Sequence, residues 1–174
     1  MEILSKTKLG VSFDTPFFFK DCSLNYIDKK FGNLVSTKID NLKGFLPDRK
    51  FLTVDIGFQV FKRGDKSCVD TGWHVDGIGN DYLILCEGDF RTEFLGKPLD
   101  LPIPNERSEL RNFNKTIACK FSDVISGSEI PDSTLVRYSS LDIHKGRVAT
   151  SDGQRLFLRL CSSDYLKPKN YRLM

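Results

Sequence analysis

An eleven-residue run, Phe51–Phe61, constrains this chain more than any other segment, because Leu52, Val54, Ile56, Phe58 and Val60 alternate with Thr53, Asp55, Gly57 and Gln59. A period of two is the side-chain period of a strand, so one face of this run is dry. A strand of that length needs neighbours on its edges and a second layer over its dry face. Strand-like runs recur at residues 82–86, 90–95, 117–121, 134–139 and 155–161. Residues 62–66 read as a turn, and Glu87-Gly88-Asp89 as a turn between residues 82–86 and 90–95, giving strand, turn, strand. Short strands punctuated in this way predict a mainly β protein with a few helices, a sandwich or a barrel.

The rest of the chain is less regular. Pro98, Pro102 and Pro104 interrupt the pattern, and the stretch from there to about Asn114 is expected to be a loop over one end of the fold. Leu24–Phe31 suits a short helix, and residues 16–19 an apolar strand or plug. No repeat, low-complexity tract or interdomain linker divides the 174 residues, which implies one domain: a core over 51–161 and about fifty supporting N-terminal residues.

Composition narrows the function classes. With 40% hydrophobic and 28% charged residues the balance is that of a folded globular domain. Lys+Arg 26 against Asp+Glu 23 leaves +3 with no long basic run, so there is no clear nucleic-acid patch, since phosphate binding needs clustered cations. The N-terminal stretch lacks the apolar segment of a secretory signal, and no run approaches the ~20 apolar residues needed to span a bilayer. The five cysteines, at 22, 68, 86, 119 and 161, are odd in number and contain no Cys-x-x-Cys pair. Reduced thiols in a cytoplasmic protein are the simplest expectation.

Chemistry concentrates around two histidines, which are all the chain has. His74 lies in Trp73-His74-Val75-Asp76-Gly77, and on extended backbone His74 and Asp76 leave the same face. His144, 70 residues on, is the one imidazole left to join them. Two imidazoles and a carboxylate on one face of an octahedron leave positions open for other ligands, the arrangement of non-haem Fe(II) oxygenases. Downstream, residues 155–161 place Leu156, Leu158 and Leu160 on one face of a strand and Arg155, Phe157 and Arg159 on the other. An inward arginine calls for an anion, which its planar fork can hold through two parallel hydrogen bonds.

His74-Val75-Asp76, His144 and, eleven residues later, Arg155 together resemble the Fe(II)- and 2-oxoglutarate-dependent dioxygenases. The resemblance covers roughly residues 70 to 161. It implies a double-stranded β-helix (jelly roll, cupin-like), with Fe(II) held by His74, Asp76 and His144 and the distal carboxylate of 2-oxoglutarate held by Arg155. It further implies that Arg159 contacts substrate or the other end of the cosubstrate, and that Thr92 helps hold the cosubstrate. The implied reaction consumes O2, releases succinate and carbon dioxide, and hydroxylates a C–H bond of a small molecule or of a modified residue or nucleotide. Neutral histidines are required for ligation, so activity is expected to fall as pH drops through histidine titration.

Two alternatives share these residues. A zinc hydrolase can use the same His, Asp and His with one water, which leaves Arg155 unexplained. A non-enzymatic β-sandwich would make both histidines incidental. Of the other polar residues, Trp73 is expected on the face opposite His74, and Asp142 either orients His144 or sits in an exposed turn. Arg137, Tyr138 and Arg147 flank the distal histidine, and Arg91, Arg107 and Arg111 lie near the proline-rich stretch, where a lid would sit.

Overall fold

The alternating run forms the strand expected of it. In the computed structural model, which describes residues 1–68, 72–96 and 100–165, β3 (Phe51–Phe61) pairs antiparallel along its whole length with β9 (Gly153–Ser163), Phe51 opposite Ser163 and Phe61 opposite Gly153. Four more strands complete a six-stranded antiparallel sheet: β1 (Glu2–Lys6), β2 (Phe17–Cys22), β4 (Asp81–Gly88) and β7 (Thr134–Ser139), in the order β1-β7-β4-β9-β3-β2. A smaller sheet holds β5 (Glu93–Phe94), β6 (Ser128–Glu129) and β8 (His144–Lys145) in the order β6-β5-β8. Isolated bridges set Lys66 beside Val148 and His74 beside His144 in β8.

Helices close the two outer faces. α1 (Leu24–Phe31) and α2 (Asn33–Leu42) cover one face of the large sheet, where Ile27, Val35 and Ile39 meet Val54, Ile56, Leu83, Leu85, Leu135, Leu156, Leu158 and Leu160. Ser23 caps α1 by accepting from the Tyr26 amide at 3.1 Å. Each of these fully buried aliphatic side chains contributes about 1.5–3 kcal/mol, so this layer is the principal apolar core. The opposite face of the large sheet looks at the small one: Tyr82, Ile84, Cys86, Val136, Tyr138 and Phe157 pack with Phe94 and Ile130. α3 (Leu110–Lys120) covers the outside of the small sheet, its Ile117 buried among Trp73, Val75, Leu95, Phe121 and Ile143.

Residues 82–86 lie in β4, and of residues 90–95 only Glu93–Phe94 form a strand, β5; the two do not pair, because after β4 the chain leaves the large sheet and β5 pairs with β6 and β8. Phe90, at φ 51°, breaks the extended backbone at the crossover. Residues 117–121, read as a strand from the alternation of Ile117, Cys119 and Phe121, belong to α3, and the expected loop to Asn114 ends at its first turn. Leu110, Phe113, Ile117 and Phe121 sit at spacings of three and four, so the apolar face has a helical period that Ile117, Cys119 and Phe121 also satisfy by twos. The polar face of β3 is not solvated, because Thr53 and Asp55 are 7% and 4% exposed and Gly57 is buried. That face turns toward the space between the sheets. Among the described residues no disulfide forms, and no helix is long and apolar enough to cross a membrane.

Candidate metal centre

His74 and His144 are brought together by backbone pairing before any side chain is considered. Each donates its amide to the other's carbonyl at 2.9 Å, the reciprocal exchange that puts both Cβ atoms on one face of the ladder. Their rings lie 4.6 Å apart, centroid to centroid. Asp76, two residues beyond His74, faces the same side, and the ligating atoms of the three residues all lie within 4.8 Å of one another. Gly77 follows at φ +81°, where a Cβ would sit 2.8 Å from the Asn80 amide nitrogen and 3.0 Å from the Tyr82 hydroxyl. Only glycine lets the chain turn away this sharply behind the carboxylate.

The tautomers are those of ligating histidines. The Nδ1 atom of His74 lies 2.7 Å from the Gly72 carbonyl and that of His144 2.9 Å from the Asp142 carbonyl. A carbonyl accepts only, so each Nδ1 carries the proton and Nε2 is left as the nitrogen that can bind a cation. The Nε2 of His144 stands 3.1 Å from the Asp76 Oδ2 atom. That spacing suits a cation held by both atoms, since a lone pair on each would point at it. The chemistry of this donor set therefore fits a divalent ion. It is the Asp142 carbonyl, not its carboxylate, that orients His144; the carboxylate accepts from the Ser139 amide and the N-terminal ammonium.

Asp76 is the hub. Besides His144, its Oδ2 accepts from the Tyr138 hydroxyl at 3.0 Å and from Arg159. Burial disfavours its charge, but Arg159, His144 and His74 outweigh that and hold the carboxyl well below the usual carboxylate range. Arg159 is in turn gripped by Asp55, whose Oδ2 accepts from Nε at 3.1 Å and from a terminal nitrogen at 2.6 Å. Asp55 is held by the Asp21 amide, 2.7 Å from Oδ1, at a bulge in β2 where Asp21 takes φ 49°. Tyr82 stacks on Tyr138 at 4.8 Å and donates to the Asp76 carbonyl. Burial, with the Asp76 charge added, raises both phenols well above their ordinary range, so they act as neutral donors.

Arg155 lines the same cavity on different terms. It is 2% exposed, and its guanidinium donates to the carbonyls of Phe90 and Ser67 and to the Gln59 side-chain oxygen at 2.6–2.8 Å, while Nε has no partner. The cation lies between the rings of Phe61 and Phe157. Burial pulls its pKa below the arginine value, and among the described residues no carboxylate pairs with it. A buried charge without a counter-charge costs several kcal/mol, which an anion entering the cavity would recover. Thr92 is 6% exposed and lines the cavity just before β5.

The cavity holds about 750 Å³, several times the space of a five-carbon diacid, and is lined by His74, Asp76, His144, Thr92, Arg155 and Arg159 among others. All six residues singled out from the sequence thus meet in one place. Arg159 differs from expectation in being already paired with two carboxylates. Sequence reasoning missed Asp55 and Asn114. Asn114 reaches from α3 to the backbone of Val75, between His74 and Asp76, accepting from its amide and donating to its carbonyl at 3.0 Å each. Asp55 carried a signal, an acid on a strand whose partner strand brings an arginine opposite it. Asn114 carried none.

The remaining candidates fall elsewhere. Trp73 is 4% exposed and donates to the Val124 carbonyl on the α3 side, opposite the cavity. Arg137 pairs with Glu2, Arg147 with Glu93 and Glu129, and Arg91 with the carbonyls of Ile130 and Gly88. These three brace the structure and do not line the cavity. Arg111 is exposed on α3, and the side chain of Arg107 lies outside the described residues. Comparison with known protein families, with curated proteins and with solved structures finds no match to this chain.

Proposed function

We propose that this protein is an Fe(II)- and 2-oxoglutarate-dependent dioxygenase that hydroxylates a C–H bond. The observation that carries this reading is the sharing of one cavity by the His74, Asp76 and His144 cluster and a buried arginine, Arg155, that meets no carboxylate among the described residues. His74, Asp76 and His144 would hold the iron, and Arg155 would take the far carboxylate of the 2-oxo acid. Bound there, iron and 2-oxoglutarate would supply oxygen activation, with one atom of O2 going to the substrate C–H bond, the other to succinate, and carbon dioxide leaving. Asp76 would offset part of the metal charge, and Tyr138, Arg159 and Asp55 hold its carboxylate in place. Ile84, Phe157 and Leu110 keep the walls apolar and limit water.

The strand pairing supports a double-stranded β-helix. Taking in chain order β3, the bridge residue His74, β4, β5, β6, β7, β8 and β9, the first pairs with the last, the second with the seventh, the third with the sixth and the fourth with the fifth. A long ribbon wound once around itself produces that nesting, as in a jelly roll. A zinc hydrolase on the same three ligands remains the competing chemistry, and it gives Arg155 no task.

The test is anaerobic addition of Fe(II) and 2-oxoglutarate to the purified protein, watched for the weak visible charge-transfer band of an iron-chelated 2-oxo acid. A band that vanishes in His74→Ala and needs far more 2-oxoglutarate in Arg155→Ala is expected. No band at full iron occupancy would overturn the reading.

A further inference from the structure

The mouth of the cavity carries more positive charge than the centre can use. Among the described lining residues, Lys20, Lys66, Arg155 and Arg159 face two carboxylates, Asp55 and Asp76. A divalent metal adds two positive charges and a doubly ionised 2-oxo acid removes two. Two positive charges are then left over. They belong to the outer pair, because Arg159 is bound to both carboxylates and Arg155 lies at the buried end. Lys20 and Lys66 are exposed at the rim and form no ion pair among the described residues. Lys20 stands two residues from Phe18 on β2, so both side chains lean over the same opening.

Phe18 is an apolar surface held beside those charges. It is 40% exposed, yet its ring lies 5.7 Å from that of Phe157 and tilted by 34°. Its seat exists because β3 has glycine opposite: a Cβ on Gly57 would stand 2.3 Å from the Phe18 ring. A shallower recess of about 390 Å³ continues outward past Phe18, Gln59 and Lys66, and its acid, Asp65, is tied to the Lys62 amide at 2.6 Å. Low-dielectric walls around like charges focus the field on an incoming anion.

Resting on the dioxygenase reading, we infer that the substrate is a small organic anion with a flat apolar body, its carboxylate or phosphate met by Lys20 and Lys66 and its body laid on Phe18. The experiment uses a matched pair of dyes on the protein loaded with Fe(II) and 2-oxoglutarate without oxygen: anilinonaphthalene sulfonate, an aromatic anion, and N-phenylnaphthylamine, its neutral counterpart. The anion is expected to bind about tenfold more tightly than the neutral dye at low salt. That preference disappears in Lys20→Gln/Lys66→Gln, persists in Lys6→Gln/Lys29→Gln, which removes two charges outside the lining, and shrinks as salt rises. Phe18→Ala weakens both dyes. Phenylacetate, phenyl phosphate and the neutral phenylacetamide are then compared as promoters of succinate release in air; either anion exceeding the amide supports the inference and tells carboxylate from phosphate. Equal binding of the two dyes, or a preference that survives loss of both lysines, overturns it. The charge-transfer band reads the metal centre separately in the wild-type protein, so either conclusion can fail alone.

Discussion

Arg155 and Arg159 are four residues apart on one strand and leave the same face, yet their electrostatic situations are opposite. Arg159 is compensated twice, by Asp55 and Asp76, and Arg155 by dipoles alone. Removing one partner of a buried ion pair strands the other, so Arg159→Met is expected to cost about 3–5 kcal/mol in urea unfolding of the metal-free protein. A divalent ion replaces the lost charge beside Asp76, so added metal should recover more stability in this variant than in the wild type. Failure of metal to do so would separate Asp76 from the metal site. The depressed Asp76 carboxyl carries its own signature. Its folded value lies below the unfolded one near 3.9, so its contribution is full above that pH and is lost as pH falls through the folded value. The stability gap between wild type and Asp76→Asn, measured without metal, is therefore expected to narrow below about pH 4.

Elements differ in how plainly their residues announce them. Phe51–Phe61, Leu24–Phe31 and Thr134–Ser139 run over the residues that their local sequence patterns mark, although the middle of β3 is buried on both faces. The inward turn of Arg155, Phe157 and Arg159 was legible from local period too. α3 and β5 were not. α3 has no side-chain cap at its N-terminus, and β5 is two residues long and exists only through its partners. α3 also does what no pattern advertises: Asn114 stands in for a neighbouring strand at Val75. Asn114→Ala is expected to lower stability by about 1–3 kcal/mol and to weaken metal binding, read by titration with Co(II). Gly57→Ala should cost about 1–3 kcal/mol by forcing the Phe18 ring off its seat, and Phe18→Ala in the same chain should return part of that loss in a double-mutant cycle.

At the scale of the whole molecule, the two sheets are joined by apolar contacts around Phe94, Tyr138 and Phe157, with a cavity at one end whose lining includes Asp55, Asp76, Arg155 and Arg159. Ligands that bind the folded state alone should stabilise it. At about a hundredfold excess over Kd the gain is about 2.7 kcal/mol, or about 5–10 °C in Tm for a chain of this size. Fe(II) with 2-oxoglutarate is expected to exceed the sum of the two added singly, as read by thermal melting, because the 2-oxo acid reaches its full set of contacts only with metal present. Additive shifts would mean that the two sites do not meet. Residue type and spacing alone determined the mainly β character, the facing pair of arginines and the grouping of His74, Asp76 and His144 as candidates, because those depend on the two-residue period of extended backbone. Tertiary structure alone decided which carboxylates meet Arg159 and that, among the described residues, none meets Arg155. The two Arg159 contacts join residues 83 and 104 positions apart, and no local period encodes them.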